Sequence, residues 1–152
     1  MVGGGEPDDE ATALAEGVGR ELGRRGAVLV CGGLGGVMEA ACRGAKAEGG
    51  TTVGILPTAD RRDANPYVDV AVPTGMGEAR NALVVRAADV LIAVAGEFGT
   101  LSEIALALRA GKQVVGLRTW ELAKDGQPVE AIVRAESPAD AVEMALALAE
   151  AV

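Results

Sequence analysis

The sequence DVLIAVAGEFGTLSE, residues 89–103, decides the fold. Its first half is a continuous apolar run, which is typical of a strand buried on both faces of a parallel sheet. It leads through Gly-Glu-Phe-Gly-Thr into LSEIALALRA, residues 101–110, whose composition favours a helix. A buried strand that passes through glycines into a helix is the repeating unit of a parallel α/β sheet.

The same alternation of strand and helix continues along the whole chain, after a short strand before the glycines of residues 3–5. It predicts one domain over residues 1–152 with an α/β fold: a doubly wound, Rossmann-like parallel sheet of about six or seven strands with helices on both faces. The predicted helices cover 8–26, 37–50, 77–88, the segment from Thr100, and 137–152; the predicted strands cover 27–33, 51–57, 68–74, 89–96, 112–119 and 129–136.

Three predicted strands end in glycines, and in a doubly wound sheet ligands bind outside the carboxyl ends of the strands. Glycine lets backbone N–H groups approach a ligand closely, and a helix N-terminus adds about half a positive charge. This edge is therefore predicted to bind a phosphorylated ligand. The glycines are Gly3-Gly4-Gly5, Gly32-Gly33 with Gly35-Gly36, and Gly96 with Gly99.

Several classes of enzyme are disfavoured by what the sequence lacks. It contains no histidine, which argues against Ser-His-Asp and Cys-His catalysis and the common zinc sites, and no metal site is predicted. Neither G-x-x-x-x-G-K-[ST] nor a G-x-G-x-x-G after the first strand is present, so P-loop NTPases and NAD enzymes are disfavoured. Lys46, Lys112 and Lys124, the residues able to form a Schiff base, lie outside the glycine-rich turns.

Composition also bears on partners and location. The net charge of −8 and an aromatic content of 2% argue against binding to nucleic acid, which needs basic patches and stacking rings. No run of 18 apolar residues and no signal-peptide pattern are evident, so we expect no membrane contact and a cytoplasmic protein. Cys31 and Cys42 are expected to be two small buried thiols.

Thr100 and Glu103 form the pattern T-x-x-E, which admits two interpretations. It is the capping-box pattern, in which both side chains satisfy backbone N–H groups at a helix start. Alternatively, Thr100 and the neighbouring amides bind a phosphate while Glu103 faces a sugar. Arg80 would then orient the phosphate or pair with Glu103, although a structural arginine is equally compatible with the pattern. Asn81 is either a ligand contact or a local cap.

Three blocks, GGLGGVMEAACRGAKAEGGTTVGILP (32–57), EARNALVVRAAD (78–89) and GEFGTLSE (96–103), together resemble the LONELY GUY superfamily. This superfamily was once labelled "possible lysine decarboxylases", and the chain is most similar to its small bacterial branch, which includes the molybdenum cofactor carrier proteins. The resemblance implies a Rossmann-like fold, a homo-oligomer (dimer or tetramer) and a nucleotide-like ligand. The lack of a suitable lysine disfavours a lysine decarboxylase.

The resemblance also implies roles for individual residues. Enzymes of the superfamily cut the N-glycosidic bond of cytokinin nucleoside 5′-monophosphates and carry an Arg-Lys pair and a Pro-Gly-Gly-x-Gly-Thr-x-x-Glu segment. The implied catalytic residues are Arg80 and Glu103. The implied ligand-binding residues are Gly32, Gly33, Gly36, Met38, Asn81, Gly96, Glu97, Phe98, Gly99 and Thr100; Met38 is also compatible with a place in the core.

The sequence departs from the enzymes' signature at three positions: Asn81 replaces the lysine, Ala95 the proline and Glu97 the second glycine. Three functions stay open. The chain binds a phosphorylated nucleotide-like ligand and hydrolyses a nucleoside 5′-monophosphate; or it is a non-catalytic carrier with the molybdenum cofactor, a pterin, as bound cargo; or it senses a nucleotide signal. No cofactor is required for the first.

Overall fold

This computed structural model describes residues 1–151, which contain five α-helices and nine strands. The helices are α1 (Asp9–Arg24), α2 (Val37–Ala47), α3 (Asn81–Ala87), α4 (Phe98–Arg109) and α5 (Pro138–Glu150). The strands are β1 (Val2–Gly3), β2 (Leu29–Cys31), β3 (Thr52–Leu56), β4 (Val70–Pro73), β5 (Leu91–Val94), β6 (Val114–Leu117), β7 (Leu122–Lys124), β8 (Gln127–Val129) and β9 (Ile132–Arg134).

Seven strands are parallel and lie in two ladders, β1-β5-β6-β9 and β2-β3-β4. The nitrogen of Met1 donates to the carbonyl of Val30 at 2.6 Å and joins the ladders. Side by side, they give the order β4-β3-β2-β1-β5-β6-β9. The direction of winding reverses between β1 and β5, so the crevice at their carboxyl ends is the place where such a sheet binds ligands.

The predicted α/β class is confirmed, but the strand number differs from the prediction. The larger ladder has four strands, fewer than the six or seven expected in one sheet. Strand pairing does not continue from β1 to β2, because β1 has only two residues, Val2–Gly3, and pairs with β5 alone. After Gly3 the chain turns away from the sheet, and the carbonyl of Gly4 accepts a hydrogen bond from the amide of Val37 in α2.

Helices cover both faces of the sheet, as predicted. In β5, Ile92 and Val94 belong to a core cluster shared with α1, α2 and α5. The alternate residues, Leu91 and Ala93, belong to a second cluster shared with α3 and α4. This alternation of side chains between two buried faces explains why the strand reads as a continuous apolar run. Cys31 and Cys42 are both fully buried, as expected, in the first cluster.

Side chains cap the N-termini of α1 and α5. Asp8 accepts a hydrogen bond from the amide of Ala11 at 2.8 Å, and Ser137 accepts one from Asp140 at 3.2 Å, with Pro138 in the first turn. The last helix was predicted to reach Val152, which lies outside the described residues; α5 ends at Glu150.

The segment 120–128, which lies between two predicted strands, contains most of an antiparallel hairpin, β7-β8. Its two turn residues, Asp125 and Gly126, have φ values of 51° and 74°. Asp-Gly with two positive φ angles is typical of a type I′ hairpin turn. Within residues 1–151, every helix is too short or too polar to cross a bilayer.

Helices α1 and α2 pack so closely that glycine is required at their crossing. A Cβ atom at Gly44 would lie 2.0 Å from the carbonyl oxygen of Glu16. We expect Gly44→Ala to lower the free energy of unfolding by about 3 kcal/mol, because the added methyl group meets rigid backbone. Urea denaturation followed by circular dichroism measures the change.

Gly99→Ala is the matched control, since Gly99 is also helical and a Cβ there meets nothing within 4 Å. It should leave the stability unchanged or raise it by a few tenths of a kcal/mol, as expected from helix propensity. Equal stabilities of the two variants would contradict the close crossing.

Candidate functional site

A cleft lies at the reversal point of the sheet, at the carboxyl ends of β1 and β5. Its innermost part, which we call the inner chamber, has a volume of about 230 Å³. The chamber is lined by Met1, Val2, Gly3, Gly4, Gly5, Gly32, Met38, Arg80, Asn81, Glu97, Gly99, Thr100 and Glu103. It therefore brings together both predicted catalytic residues and six of the ten predicted binding residues.

The N-terminus of α4 forms one wall of the inner chamber. The first intrahelical bond runs from Leu101 to the carbonyl of Glu97 at 3.0 Å, and the Glu97 side chain makes no cap bond. In the described chain, no group accepts from the amides of residues 98–100. Free amides at a helix N-terminus are a ready anion site because they add hydrogen bonds to the positive end of the helix dipole.

The capping-box interpretation of T-x-x-E is wrong. Helix α4 begins at Phe98, so Thr100 is its third residue and does not occupy the cap position. Thr100 is 3% exposed and lines the inner chamber. Gly96 has a φ of 103°, and a Cβ there would lie 2.3 Å from the Thr100 hydroxyl oxygen. Gly96 thus lets the chain turn tightly into the helix.

Arg80 ends a 3-10 turn, Gly77–Arg80, and its side chain is buried against the chamber. Nη1 donates to Asn81 Oδ1 at 2.6 Å and lies 4.0 Å from Glu103 Oε1. Its Nε is buried without a hydrogen-bond partner among the described residues. A Cβ on Gly32 would lie 2.7 Å from Nη2, so a larger residue there would displace the guanidinium. Burial lowers the pKa of Arg80, while Glu103 raises it.

Glu103 projects from the second turn of α4 and is 7% exposed. Burial raises the pKa of its carboxyl to about 7, although the positive charge of Arg80 acts in the opposite direction. The pair at 4.0 Å is not hydrogen-bonded, so it compensates desolvation only in part. A carboxyl that titrates near neutral pH in a cleft can donate a hydrogen bond when protonated or stabilise positive charge when ionised.

Three predicted binding residues lie outside the inner chamber and outside the space beside it. The carbonyl of Gly33 accepts from Asn65, and a Cβ on Gly36 would lie 2.4 Å from the carbonyl oxygen of Gly5. The first amide of α2 is already bonded, since Val37 donates to Gly4 at 3.0 Å. Phe98 is 76% exposed and contacts Trp120. Ligand binding by Gly33, Gly36 and Phe98 stays a prediction.

A second space, which we call the outer chamber, adjoins the inner one and has a volume of about 540 Å³. Gly96 lies here, and Gly4 and Glu97 line both chambers. The outer chamber is lined by Gly4, Glu6, Pro7, Asp8, Ala11, Ala95, Gly96, Glu97, Arg118, Thr119 and Trp120.

The turn between the chambers is held from the β6 side. Thr119 donates its hydroxyl to the carbonyl of Ala95 at 2.6 Å, and the Trp120 indole donates to the carbonyl of Glu97 at 3.2 Å. Ala95 has a φ of 46°, a left-handed conformation that non-glycine residues adopt at a cost. The residues after β6 therefore fix the turn that sets the start of α4.

Sequence reasoning missed Met1 and Val2 and most of the outer chamber. Met1 and Val2 carry no motif. Arg118 and Trp120 follow the carboxyl end of β6, and the rule that parallel strands end at one edge would have placed them near the glycines.

The two buried thiols lie behind the chamber wall, with Cys31 Sγ 3.6 Å from Cys42 Sγ. Their contact lowers the pKa of Cys31 to about 7 and raises the pKa of Cys42. Over residues 1–151, no group of three His, Cys, Asp or Glu side chains is placed to hold a metal ion.

Comparison with known proteins confirms the resemblance noted from the residues. The model of the SLOG cluster4 family matches residues 1–142. An uncharacterized protein of Archaeoglobus fulgidus is 47% identical over 119 residues, 78% of each chain. The solved molybdenum cofactor binding protein of Rippkaea orientalis is 33% identical with a TM-score of 0.85, over 95% of this chain and 91% of that one. The molybdenum cofactor carrier protein of Chlamydomonas reinhardtii is 33% identical with a TM-score of 0.83, over 97% and 93%.

The raised pKa of Glu103 predicts a pH-dependent stability. From its ordinary 4.5 the pKa rises to about 7, so between these values the folded protein binds a proton that the unfolded chain releases. This contribution to stability is complete below pH 4.5 and is lost as the pH rises through 7. In Glu103→Gln the side chain is neutral at every pH. We therefore expect the unfolding free energy of this variant to be about 3 kcal/mol higher than that of wild type at pH 8.

The two proteins should have nearly equal stability at pH 4.5, where Glu103 is protonated. Urea unfolding of both proteins at pH 4.5, 6 and 8 measures the difference in their unfolding free energies. The contributions of the other carboxyl groups cancel in this difference. A difference independent of pH would contradict the raised pKa.

Proposed function

The chain belongs to the SLOG cluster4 family, and we propose that it is a carrier of the molybdenum cofactor. This cofactor is a phosphorylated pterin, which the protein would bind without transforming it. The proposal rests on the family and on the geometry of the cleft. The observation that carries the proposal is the set of free amides of residues 98–100 beside Arg80 in the inner chamber. The similar proteins of Rippkaea orientalis and Chlamydomonas reinhardtii are a molybdenum cofactor binding protein and a molybdenum cofactor carrier protein.

The inner chamber fits the phosphate of such a ligand. The α4 amides donate hydrogen bonds, and Arg80 supplies a buried positive charge with an unpartnered Nε. A buried donor without a partner costs free energy, which an acceptor oxygen would recover. Protonated Glu103 adds a further donor at neutral pH and below. The cargo's metal ion is assigned no protein ligand in this proposal.

Two departures from the enzymes' signature favour a carrier over a hydrolase. Ala95 has a φ of 46°, whereas proline is fixed near −65°, so the enzymes' proline does not fit this turn. Asn81 accepts a hydrogen bond from Arg80 at 2.6 Å. The enzymes' lysine has no acceptor and would place a second positive charge there.

The carrier proposal predicts copurification of molybdenum and pterin with the protein expressed in a host that makes the cofactor. We expect Gly99→Val to lower the bound amount at least tenfold, because its side chain would project from the chamber wall where the anion sits. A Cβ at Gly99 meets no protein atom, so the variant should fold. Molybdenum is measured by mass spectrometry and the pterin by fluorescence after oxidation.

Ala105→Val is the matched control, since Ala105 is exposed on the same helix and should keep its cargo. Wild-type protein that carries neither molybdenum nor pterin, from cells whose other molybdoproteins are loaded, would refute the proposal.

A second candidate function is hydrolysis of the N-glycosidic bond of a nucleoside 5′-monophosphate. The observation that favours it is the place of Glu103 in the inner chamber, 4.0 Å from Arg80. A glycosidic cleavage passes through a positively charged oxocarbenium-like state, which an ionised carboxylate stabilises.

Incubation with adenosine monophosphate and its N6-isopentenyl derivative separates the two functions. The carrier proposal expects no free base at high protein concentration. Release of base that rises between pH 6 and 8, as Glu103 ionises, and disappears in Glu103→Gln would establish the hydrolase instead.

A further inference from the structure

Two of the chain's three aromatic residues lie together at the rim of the outer chamber. The sequence has one Phe, one Trp and one Tyr, and the ring centroids of Phe98 and Trp120 are 5.6 Å apart. Phe98 is 76% exposed. Exposed aromatic surface beside a cleft is a common feature of ligand sites, because planar rings stack on it.

The Trp120 ring is held in a defined position. Its indole nitrogen donates to the carbonyl of Glu97 at 3.2 Å, and Phe98 packs against it. Since the single donor of the indole is used, Trp120 offers a ligand its ring surface and no hydrogen bond.

The two chambers are neighbours, because Gly4 and Glu97 line both. The inner chamber, at about 230 Å³, is smaller than pockets for whole ligands, which are about 300–1,000 Å³. The outer chamber, at about 540 Å³, lies within that range. A ligand with its phosphate on α4 therefore extends into the outer chamber.

The charges of the outer chamber disfavour a second phosphate there. Its one cation, Arg118, is paired with Asp8 and with Glu10, the latter at 2.7 Å. The carboxylates of Glu6 and Glu97 have no hydrogen-bond or ion-pair partner among the described residues. These carboxylates accept hydrogen bonds and repel anions, so the chamber favours a neutral ring that carries N–H donors.

We propose that the outer chamber binds a planar ring with a 2-amino-4-oxopyrimidine edge, which stacks on Trp120 and donates its adjacent N–H groups to the Glu97 carboxylate. This edge is shared by pterins and guanine. Adenine lacks it, because an acceptor nitrogen stands next to its amino group. The inference rests on the proposed function for the position of the phosphate, and it adds the recognition of the ring.

Trp120 is the only tryptophan, so its fluorescence reports directly on the outer chamber. The probes are GMP, AMP, ribose 5-phosphate and neopterin monophosphate, titrated against wild-type protein by fluorescence and by calorimetry. We expect GMP and neopterin monophosphate to quench Trp120 and to bind at least tenfold more tightly than AMP or ribose 5-phosphate. Tighter binding of neopterin monophosphate than of GMP identifies the pterin as the source of the ring.

Two variants test the assigned contacts. Trp120→Leu should weaken the binding of GMP about tenfold more than that of ribose 5-phosphate, because it removes the stacking surface in addition to the hydrogen bond from the indole to the Glu97 carbonyl. Glu97→Gln should reduce the preference for GMP over AMP to threefold or less, whereas Glu143→Gln, on the exposed face of α5, should keep it. AMP binding as tightly as GMP, no response to GMP at millimolar concentration, or equal losses of GMP and ribose 5-phosphate in Trp120→Leu would each overturn the inference.

These outcomes are distinguishable from failure of the proposed function. Copurified molybdenum without discrimination between GMP and AMP leaves the carrier function in place and overturns the ring site. If the protein discriminates between GMP and AMP but never carries molybdenum, the ring site stands and the carrier function is refuted.

Discussion

At the ligand edge of this sheet, the N-terminus of α4 leaves the amides of residues 98–100 without an acceptor in the described chain. The first amide of α2 donates to the carbonyl of Gly4 at 3.0 Å. That contact is possible because Gly36 has no side chain; a Cβ there would lie 2.4 Å from the carbonyl oxygen of Gly5. The amides of α4 have no such internal acceptor among the described residues. The close approach of the β1 loop to α2 thereby occupies the first amide of α2, which an anion could otherwise bind.

The buried pair beside these amides adds a second constraint. Arg80 and Glu103 are both less than 9% exposed and lie 4.0 Å apart without a hydrogen bond. Such an arrangement recovers little of the free energy that desolvation costs. Arg80 keeps an unused hydrogen-bond donor, and the carboxyl of Glu103 has a pKa near neutral pH. A bound anion would accept a hydrogen bond from that donor. Perturbed buried pairs of this kind are common at functional sites.

Much of the fold could be predicted because its signals are local. The apolar run of residues 89–96 and the glycines after it locate β5 and the turn into α4. The T-x-x-E pattern misled because it does not reveal whether the threonine precedes the helix or lies inside it. The outer chamber depends on strand order: Trp120 and Glu97 are 23 residues apart and meet because β6 lies beside β5. No local pattern around Trp120 contains that information.

The left-handed backbone at Ala95 bears on how such proteins diverge. An alanine at a φ of 46° tolerates replacement by glycine, but a proline there would force the turn, and with it the start of α4, into another shape. Exchange between this sequence and the proline-containing turn of the related enzymes would therefore also disturb the hydrogen bond that the Thr119 hydroxyl donates to the Ala95 carbonyl.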